Sequence, residues 1–385
     1  MNTDAIPQQT EMFDFALPTR IILESGCLSK LHHFLSEAGK RKALVVLSEG
    51  AKERHSSIAE ILNSKRKDLE VTPYFLKKNF KASTDELHEI KCYLDKNDYD
   101  AIVSVGGGNI IDFVKVAAIA LDPNVNITTC VGKSFDVVER KLFHVAVPTT
   151  FGTGSEVTKG AIILDNQTNQ KDGVRGNAIF PDLAIIDPAL GSTLPDNVLR
   201  ETLFDSFTHS FEALHAEKRN PLTRMLAINA LRMISQNIER YTRKETDNTF
   251  YYQAAFSSLL GGFCICHNST CLPHRFEQAF SPFYRLSHGA GLAAIYPAWV
   301  AALEKEGKID PLLSQVSHNK TATEYVAHIL SQLNLSDASQ RLDEITLPPS
   351  SMAERVTGNI ANDPLINGHH GDIVVSLLQT ILAKP

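Results

Sequence analysis

The chain has 385 residues, 43% hydrophobic and 21% charged, with a formal net charge of −6. That length suits one large or two ordinary domains with ample core, and the negative balance argues against a general nucleic-acid surface. No apolar run reaches the length of a membrane span. Six cysteines form no disulfide framework, and the opening MNTDAIPQQTEMFDF is polar and acidic rather than signal-like, so the expected setting is a reducing cytoplasm.

Strand and helix patterns alternate through the first half. Arg20 to Leu23 is β-like, and Leu28 to Ala38 has helical spacing that ends at Gly39. Ala43 to Leu47 is a continuous apolar run flanked by charge, the pattern of a buried parallel strand. Ser56 to Leu62 reads as helix, Val71 to Leu76 as strand, Thr84 to Leu94 as a helix with acids in its first turn, and Ala101 to Val105 as strand. Gly106, Gly107, Gly108 and Asn109 follow, then an apolar helix from Val114 to Ala120. A triple glycine between a strand and a helix lets free backbone N–H groups approach an anion without intervening Cβ atoms. It is equally the sequence of a plain tight turn, and it is not the G-x-G-x-x-G dinucleotide fingerprint. Leu142 to Val147 is the next strand. The loop Pro148-Thr-Thr-Phe-Gly-Thr-Gly-Ser-Glu156 then offers four hydroxyls and two glycines, suited either to wrapping a pyrophosphate or to a solvated linker. Ala161 to Leu164 is β-like, Asp165 to Gln170 a polar turn preceding Lys171, and Asp182 to Asp187 the last strand. The alternation predicts a doubly wound α/β domain.

After Pro195 the pattern changes. Asn197–His215, Pro221–Tyr241, Thr249–Gly261, His267–Ala279 and Gly289–Leu303 read as successive helices, with shorter runs at Thr321–Leu333 and Asp372–Ala383. The expected organisation is an α/β domain over residues 1–190 and an all-helical domain over 191–385, with ligands in the cleft between them. Asp205 and His209, four apart in the helical run, share one face. With His274 and His288 they supply one oxygen and three imidazole nitrogens, a set that suits Zn²⁺ or Fe²⁺. A buried Asp–His hydrogen bond explains the first pair without a metal.

Taken together, these segments resemble the iron-containing (group III) alcohol dehydrogenase family over nearly the whole chain. Gly106-Gly-Gly-Asn-Ile-Ile-Asp112-Phe-Val-Lys115 is similar to the family's G-G-G-S-x-x-D-x-x-K, and Pro148 to Thr158 to its P-T-T-x-G-T-G-S-E-x-T. His288-Gly-Ala-Gly-Leu-Ala with Pro297-Ala-Trp looks like the last metal ligand of the butanol dehydrogenase branch, and the ligand fourteen residues earlier is His274. The resemblance implies a Rossmann-like domain followed by a helical domain in a dehydroquinate synthase-like architecture. It implies Asp205, His209, His274 and His288 as ligands of Fe²⁺ or Zn²⁺. It implies NADP or NAD on Gly106, Gly107, Gly108, Asn109, Asp112, Thr149, Thr150, Thr153 and Lys171, with the backbone from Leu190 to Leu194 at the nicotinamide end. The implied reaction is hydride transfer between nicotinamide C4 and an alcohol or aldehyde whose oxygen the metal holds, in a homodimer or larger homo-oligomer.

Two departures from the family pattern bear on chemistry. Gln278 stands four residues after His274, where many members carry a second histidine near the nicotinamide; glutamine can orient a substrate but not relay a proton near neutral pH. Ser48 ends the second strand where NAD-preferring members often place aspartate, which favours NADP, while the adjacent Glu49 would serve an NAD ribose. Lys77, Lys78 and Lys81 add positive charge nearby or simply form a solvated face. Cys264, Cys266, His267 and Cys271 have no structural zinc spacing and read as small buried helix residues. The rival readings are an enzyme of similar architecture acting on an anionic substrate through Arg275 or Arg285, a homologue that binds metal and nucleotide without turnover, and a metallohydrolase, which lacks an obvious general base.

Overall fold

In a computed structural model the described residues are 13–64, 68–283, 286–338, 349–356, 360–366 and 370–382. The chain divides into two compact units, one of Pro18–Leu199 with Thr246–Ala255, the other of Met1–Leu17, Arg200–Glu245 and Phe256–Pro385.

The first unit contains eight described strands: β1 (Arg20–Leu23), β2 (Lys42–Ser48), β3 (Glu70–Leu76), β4 (Ala101–Gly106), β5 (Phe143–Pro148), β6 (Gly160–Asp165), β7 (Gln170–Arg175) and β8 (Leu183–Ile186). Six of them form a parallel sheet in the order β1-β8-β5-β4-β2-β3. Both faces of this sheet are covered, which is why its strands read as unbroken apolar runs. Leu44, Val46 and Ile102 join one apolar cluster, while Ala43, Val45, Leu47 and Val103 join another. Among the described residues five helices lie wholly within this unit: α1 (Leu31–Glu37), α2 (Ala51–Arg54), α3 (Ser56–Asn63), α4 (Thr84–Leu94) and α5 (Gly108–Ile119). Ser83 caps α4 by accepting from the Glu86 N–H, and Asp85 and Glu86 sit in its first turn.

The sheet order reverses between β2 and β4. From β2 the chain moves outward to β3, and from β4 it moves the other way to β5. The carboxyl ends flanking such a reversal are the usual ligand position of an open α/β sheet. Here those ends are Ser48 and Gly106.

Two details differ from the expectations. Helix α5 begins at Gly108 rather than Val114, because the glycines themselves enter the first helical turn. Lys171 lies within strand β7, which pairs antiparallel with β6 and faces Leu164; the polar turn between them masked the hairpin.

The helices of the second half are α6 (Asp196–His215), α7 (Pro221–Thr242), α8 (Asn248–Asn268), α9 (Leu272–Phe280), α10 (His288–Lys305), α11 (Ala322–Gln332), α12 (Pro349–Ala353) and α13 (His370–Leu382). Capping boxes start α7 (Asn220 with Thr223) and α11 (Thr321 with Glu324). Helix α8 runs past Gly261 to Asn268 and stops where Ser269 turns to positive φ, so Cys264, Cys266 and His267 belong to α8, and the helix expected from His267 starts only at Leu272. Among the described residues no helix is long and apolar enough to cross a membrane.

Candidate metal centre and phosphate cradle

Three elements of the second unit converge on one carboxylate oxygen. Asp205 and His209 project from one face of α6, His274 from the first turn of α9, and His288 opens α10. The Nε2 atoms of His209, His274 and His288 lie 3.8, 3.6 and 3.5 Å from Asp205 Oδ1. The ligand atoms of Asp205, His209 and His274 all lie within 4.8 Å of one another. Gly289 makes this approach possible: a Cβ there would fall 2.8 Å from the Glu201 carbonyl oxygen on α6.

Each of two imidazoles is oriented by a second carboxylate. Glu212 Oε1 is 2.7 Å from His274 Nδ1, and Glu277 Oε2 is 2.7 Å from His288 Nδ1. The outer nitrogen of each ring is thereby committed to donation, and Nε2 faces inward, the usual support of a metal-ligating histidine. Glu212 Oε2 also accepts the Cys271 N–H, and Asp363 accepts the Leu272 N–H, so these acids fix the start of α9 as well. The sequence reading missed both glutamates. Their signal was present as His209-x-x-Glu212 and His274-x-x-Glu277, although each acid serves a histidine of a different element.

The electrostatics are those of a site made for positive charge. Burial works against ionisation of Asp205, but the His209 and His288 imidazoles hold it well below the usual carboxylate range. Burial likewise opposes protonation of the histidines, yet Glu212 and Asp205 raise His274, and Glu277 and Asp205 push His288 up to about 10. Buried Asp205 Oδ1 and His274 Nε2 have no hydrogen-bond partner. Such atoms are costly unless something pairs them, and the grouped Asp205, His209 and His274 suit a borderline divalent cation, with His288 Nε2 close to Asp205 but outside that mutual grouping. About a third (35%) of the His288 side chain is exposed, whereas His209 and His274 are buried.

Gln278 lies one turn beyond His274 and is largely buried; its Oε1 accepts from Arg275 Nη1 at 3.1 Å, which leaves the amide nitrogen as the donor. Arg275 is itself buried and also donates to Ser269 Oγ, so it is not displayed to an incoming anion. Arg285, the other arginine considered for an anionic substrate, lies outside the described residues, as do His369 and the side chain of His370. The cysteine cluster disperses: Cys264 Sγ faces the Thr223 carbonyl, Cys271 Sγ the Glu212 carbonyl, and the His267 ring stacks on Phe15 at 3.8 Å. His144 is buried against Ser104, and His215 against Phe211.

In the first unit the glycine turn and the threonine loop meet. Gly107 caps α5 without any side-chain cap, leaving the first N–H groups of the helix to another acceptor. A Cβ on Gly107 would lie 3.0 Å from Thr150 Oγ1, and one on Gly108 2.7 Å from Thr153 Cγ2. Glycine at both positions lets the two threonines pack directly against the turn, beside the free N–H groups that open the helix. Gly154 holds the loop in a left-handed turn at φ 60°. Gly107, Gly108, Thr149, Thr150 and Thr153 are partly accessible and Asn109 is exposed, while Gly106 is buried beneath them.

Asp112 and Lys115, one turn further on, serve a different purpose. Lys115 Nζ donates to Ser155 Oγ (2.9 Å), Thr158 Oγ1 (2.9 Å) and the Gly160 carbonyl (2.7 Å), and lies 3.4 Å from Asp112 Oδ1. Asp112 also accepts from Ser155 Oγ and the Ile162 N–H. The pair therefore ties α5 to the threonine loop and β6. Leu190 is buried in the core, leaving only its backbone for a ligand, and Leu194 is half-buried. Ser48, at the end of β2, accepts from Arg54 Nη2 at 3.0 Å.

A twisted parallel sheet with a phosphate-type turn at its switch point, followed by a helical unit carrying a carboxylate–imidazole cluster, defines the class first: a fold related to dehydroquinate synthase. Residues 18–188 match the iron-containing alcohol dehydrogenase family, and residues 200–357 match the C-terminal part of the same family. The chain belongs to the iron-containing alcohol dehydrogenases. It is 27% identical over 279 residues to an NAD-dependent methanol dehydrogenase of Bacillus methanolicus, covering 72% of each chain. It is 25% identical over 334 residues to an NADPH-dependent butanol dehydrogenase of Clostridium saccharobutylicum, covering 84% of each. An iron-containing alcohol dehydrogenase structure from Thermococcus thioreducens shares the fold, with a TM-score of 0.85 at 22% identity over 97% of this chain and 100% of that one.

Proposed function

We propose that this chain is a metal-dependent, NAD(P)-linked alcohol dehydrogenase working as an aldehyde reductase in the opposite direction. The observation that carries the proposal is the convergence of three imidazole nitrogens on the unpartnered, buried Asp205 Oδ1, backed by Glu212 and Glu277. Asp205, His209, His274 and His288 would hold Fe²⁺ or Zn²⁺. When bound, such a cation supplies Lewis-acid polarisation of a substrate oxygen.

The rest of the work falls to the chain's own residues. Gly106 to Asn109 would seat the cofactor pyrophosphate on the open end of α5, with Thr149, Thr150, Thr153 and Lys171 around it. Asp112 would act from beneath, by holding Ser155 and so the shape of the loop. The backbone from Leu190 to Leu194 would meet the nicotinamide, whose C4 gives or takes the hydride. Gln278 would offer its amide N–H₂ to the substrate, held in that sense by Arg275. In functional terms residues 1–190 would carry the cofactor and 191–385 the metal and substrate. With all six cysteines free, a reducing cytoplasm is the proposed setting. A homodimer or larger assembly rests on the family alone, and light scattering tests it.

The test of the reaction uses chelator-stripped protein, NADPH or NADH, and a panel of short neutral aldehydes, with Fe²⁺ or Zn²⁺ returned anaerobically. The expected result is metal-restored oxidation of the nicotinamide. If cofactor and metal bind but no neutral aldehyde is reduced, the alcohol dehydrogenase reading fails and an anionic substrate takes its place.

A further inference from the structure

The turn that leaves β2 carries an arginine with no role in the proposed metal or pyrophosphate chemistry. Arg54 ends the short helix α2, and its guanidinium folds back so that Nη2 donates to Ser48 Oγ at 3.0 Å. The guanidinium packs over Gly50, where a Cβ would lie 2.7 Å from Arg54 Nη1 and the flexible side chain would have to shift. Arg54 is exposed, and among the described residues no carboxylate pairs with it.

Two of the neighbouring cations are engaged elsewhere, while Lys78 and Lys81 are exposed on the stretch after β3. Lys77 is bound by Glu89 at 2.9 Å with Glu86 at 3.7 Å, and Lys52 lies over the Phe75 ring. A solvated, unpaired guanidinium and a hydroxyl therefore stand side by side at the carboxyl end of β2, next to the sheet's reversal. In dinucleotide-binding sheets this strand end receives the adenine ribose, where a carboxylate selects a free 2′-hydroxyl and an arginine accommodates a 2′-phosphate. Guanidinium is the side chain best matched to two phosphate oxygens at once.

We infer that Arg54, aligned by Ser48 and packed over Gly50, is the residue that selects a 2′-phosphorylated cofactor, NADP(H), over NAD(H). The inference rests on the proposed dehydrogenase function and narrows its cofactor. Glu49 also lies in this turn and is exposed; a carboxylate there would assist an unphosphorylated ribose, so its neutral variant is the natural control.

Calorimetric titration of the whole, unliganded protein with adenosine 2′,5′-bisphosphate and with adenosine 5′-monophosphate reads the subsite without any turnover. The bisphosphate should bind the tighter. A charge-assisted hydrogen bond contributes about 1.5–3 kcal/mol, so Arg54→Gln should weaken the bisphosphate roughly 10- to 100-fold and leave the monophosphate nearly unchanged. Arg54→Lys should retain part of the preference. Gly50→Ala, which displaces the guanidinium but not its charge, should lose an intermediate amount, and Glu49→Gln should change little or favour the bisphosphate further. The ratio of kcat/KM for NADPH over NADH should fall in the same order. Equal binding of the two nucleotides by the wild type, or an equal loss of both in Arg54→Gln, overturns the inference while leaving the dehydrogenase reading intact. If neither nucleotide nor either intact cofactor binds the wild type, the proposed function falls and takes this inference with it.

Discussion

Each unit buries a cluster of charged side chains, and the two clusters are finished in opposite ways. In the α/β unit Lys115 is fully enclosed, and its ammonium is met by two hydroxyls, a carbonyl and Asp112. In the helical unit Asp205 is as deeply buried, but Oδ1 is surrounded by three imidazole nitrogens at distances too long for hydrogen bonds. A buried charge that the protein satisfies by itself is structure. One whose partners stand back around a common point fits a cation shared among them. The difference between the two clusters, more than the residue types, separates scaffold from candidate site.

The largest effect that would break this contrast belongs to His274→Ala. Polarisation of a carbonyl by a bound cation is worth several kcal/mol, so aldehyde reduction should fall by roughly 10³-fold or more. Metal per protein, measured by mass spectrometry, should fall with it while circular dichroism stays native. A variant that keeps full metal and full activity would remove His274 from the site.

Lys115→Met asks the converse question. Removing one partner from a buried pair costs about 3–5 kcal/mol, and urea unfolding should show a loss of that size. The remaining folded protein should still bind one equivalent of Fe²⁺ or Zn²⁺, because Ser155, Thr158, Gly160 and Asp112, which Lys115 holds, all belong to the α/β unit. A drop in metal affinity equal to that of His274→Ala would show that the two clusters are not separable.

Much of this contrast is legible in the sequence. Hydrophobic runs located the parallel strands because burial on both faces erases the alternation that a half-exposed strand would show, and the Asp205–His209 spacing placed both side chains on one helix face. The glycine turn was legible as a phosphate cradle only in chemistry. The threonines packed against it, Thr150 and Thr153, are more than forty positions away, and a local pattern carries no such contact. The orienting acids were hidden for the same reason, since Glu212 sits beside His209 in sequence yet holds His274. The end of α8 escaped because Ser269, not a glycine or proline, takes the left-handed turn. Strand β7 escaped because Gln170-Lys-Asp-Gly lacks β-branched residues, and its pairing with β6 overrides that weak propensity.

Glu212→Gln sharpens the contrast at its boundary. The amide still accepts the Cys271 N–H, but it no longer places a full negative charge against His274 Nδ1. Loss of such an orienting carboxylate typically lowers metal affinity about 10- to 100-fold. Competition with a chromophoric chelator should give a value in that range, well short of the effect of His274→Ala. An unchanged affinity would mean that Glu212 serves only the start of α9.

The smallest effect comes from a histidine of the same helix as His209 that lies outside the cluster. His215 is buried, with Nδ1 bonded to the Phe211 carbonyl at 2.7 Å and its ring stacked on Phe211 at 4.3 Å. Burial, opposed by the Phe211 carbonyl and Asp310 and helped by Arg219, pushes His215 down to about 4, whereas carboxylates drive His288 up to about 10. The unfolded chain binds a proton at this residue near pH 6.5, the folded one only near pH 4. Between those values the unfolded state holds more protons, so the contribution of His215 to stability is complete above pH 6.5 and is lost as pH falls toward 4. His215→Gln can keep a donor toward Phe211 and removes the titration. Its unfolding free energy should fall less steeply between pH 6.5 and 4, by up to about 1.4 kcal/mol per pH unit. An unchanged slope in urea titrations across that range would mean that His215 is not held neutral by burial, and that burial alone does not separate the histidines of the core from those of the cluster.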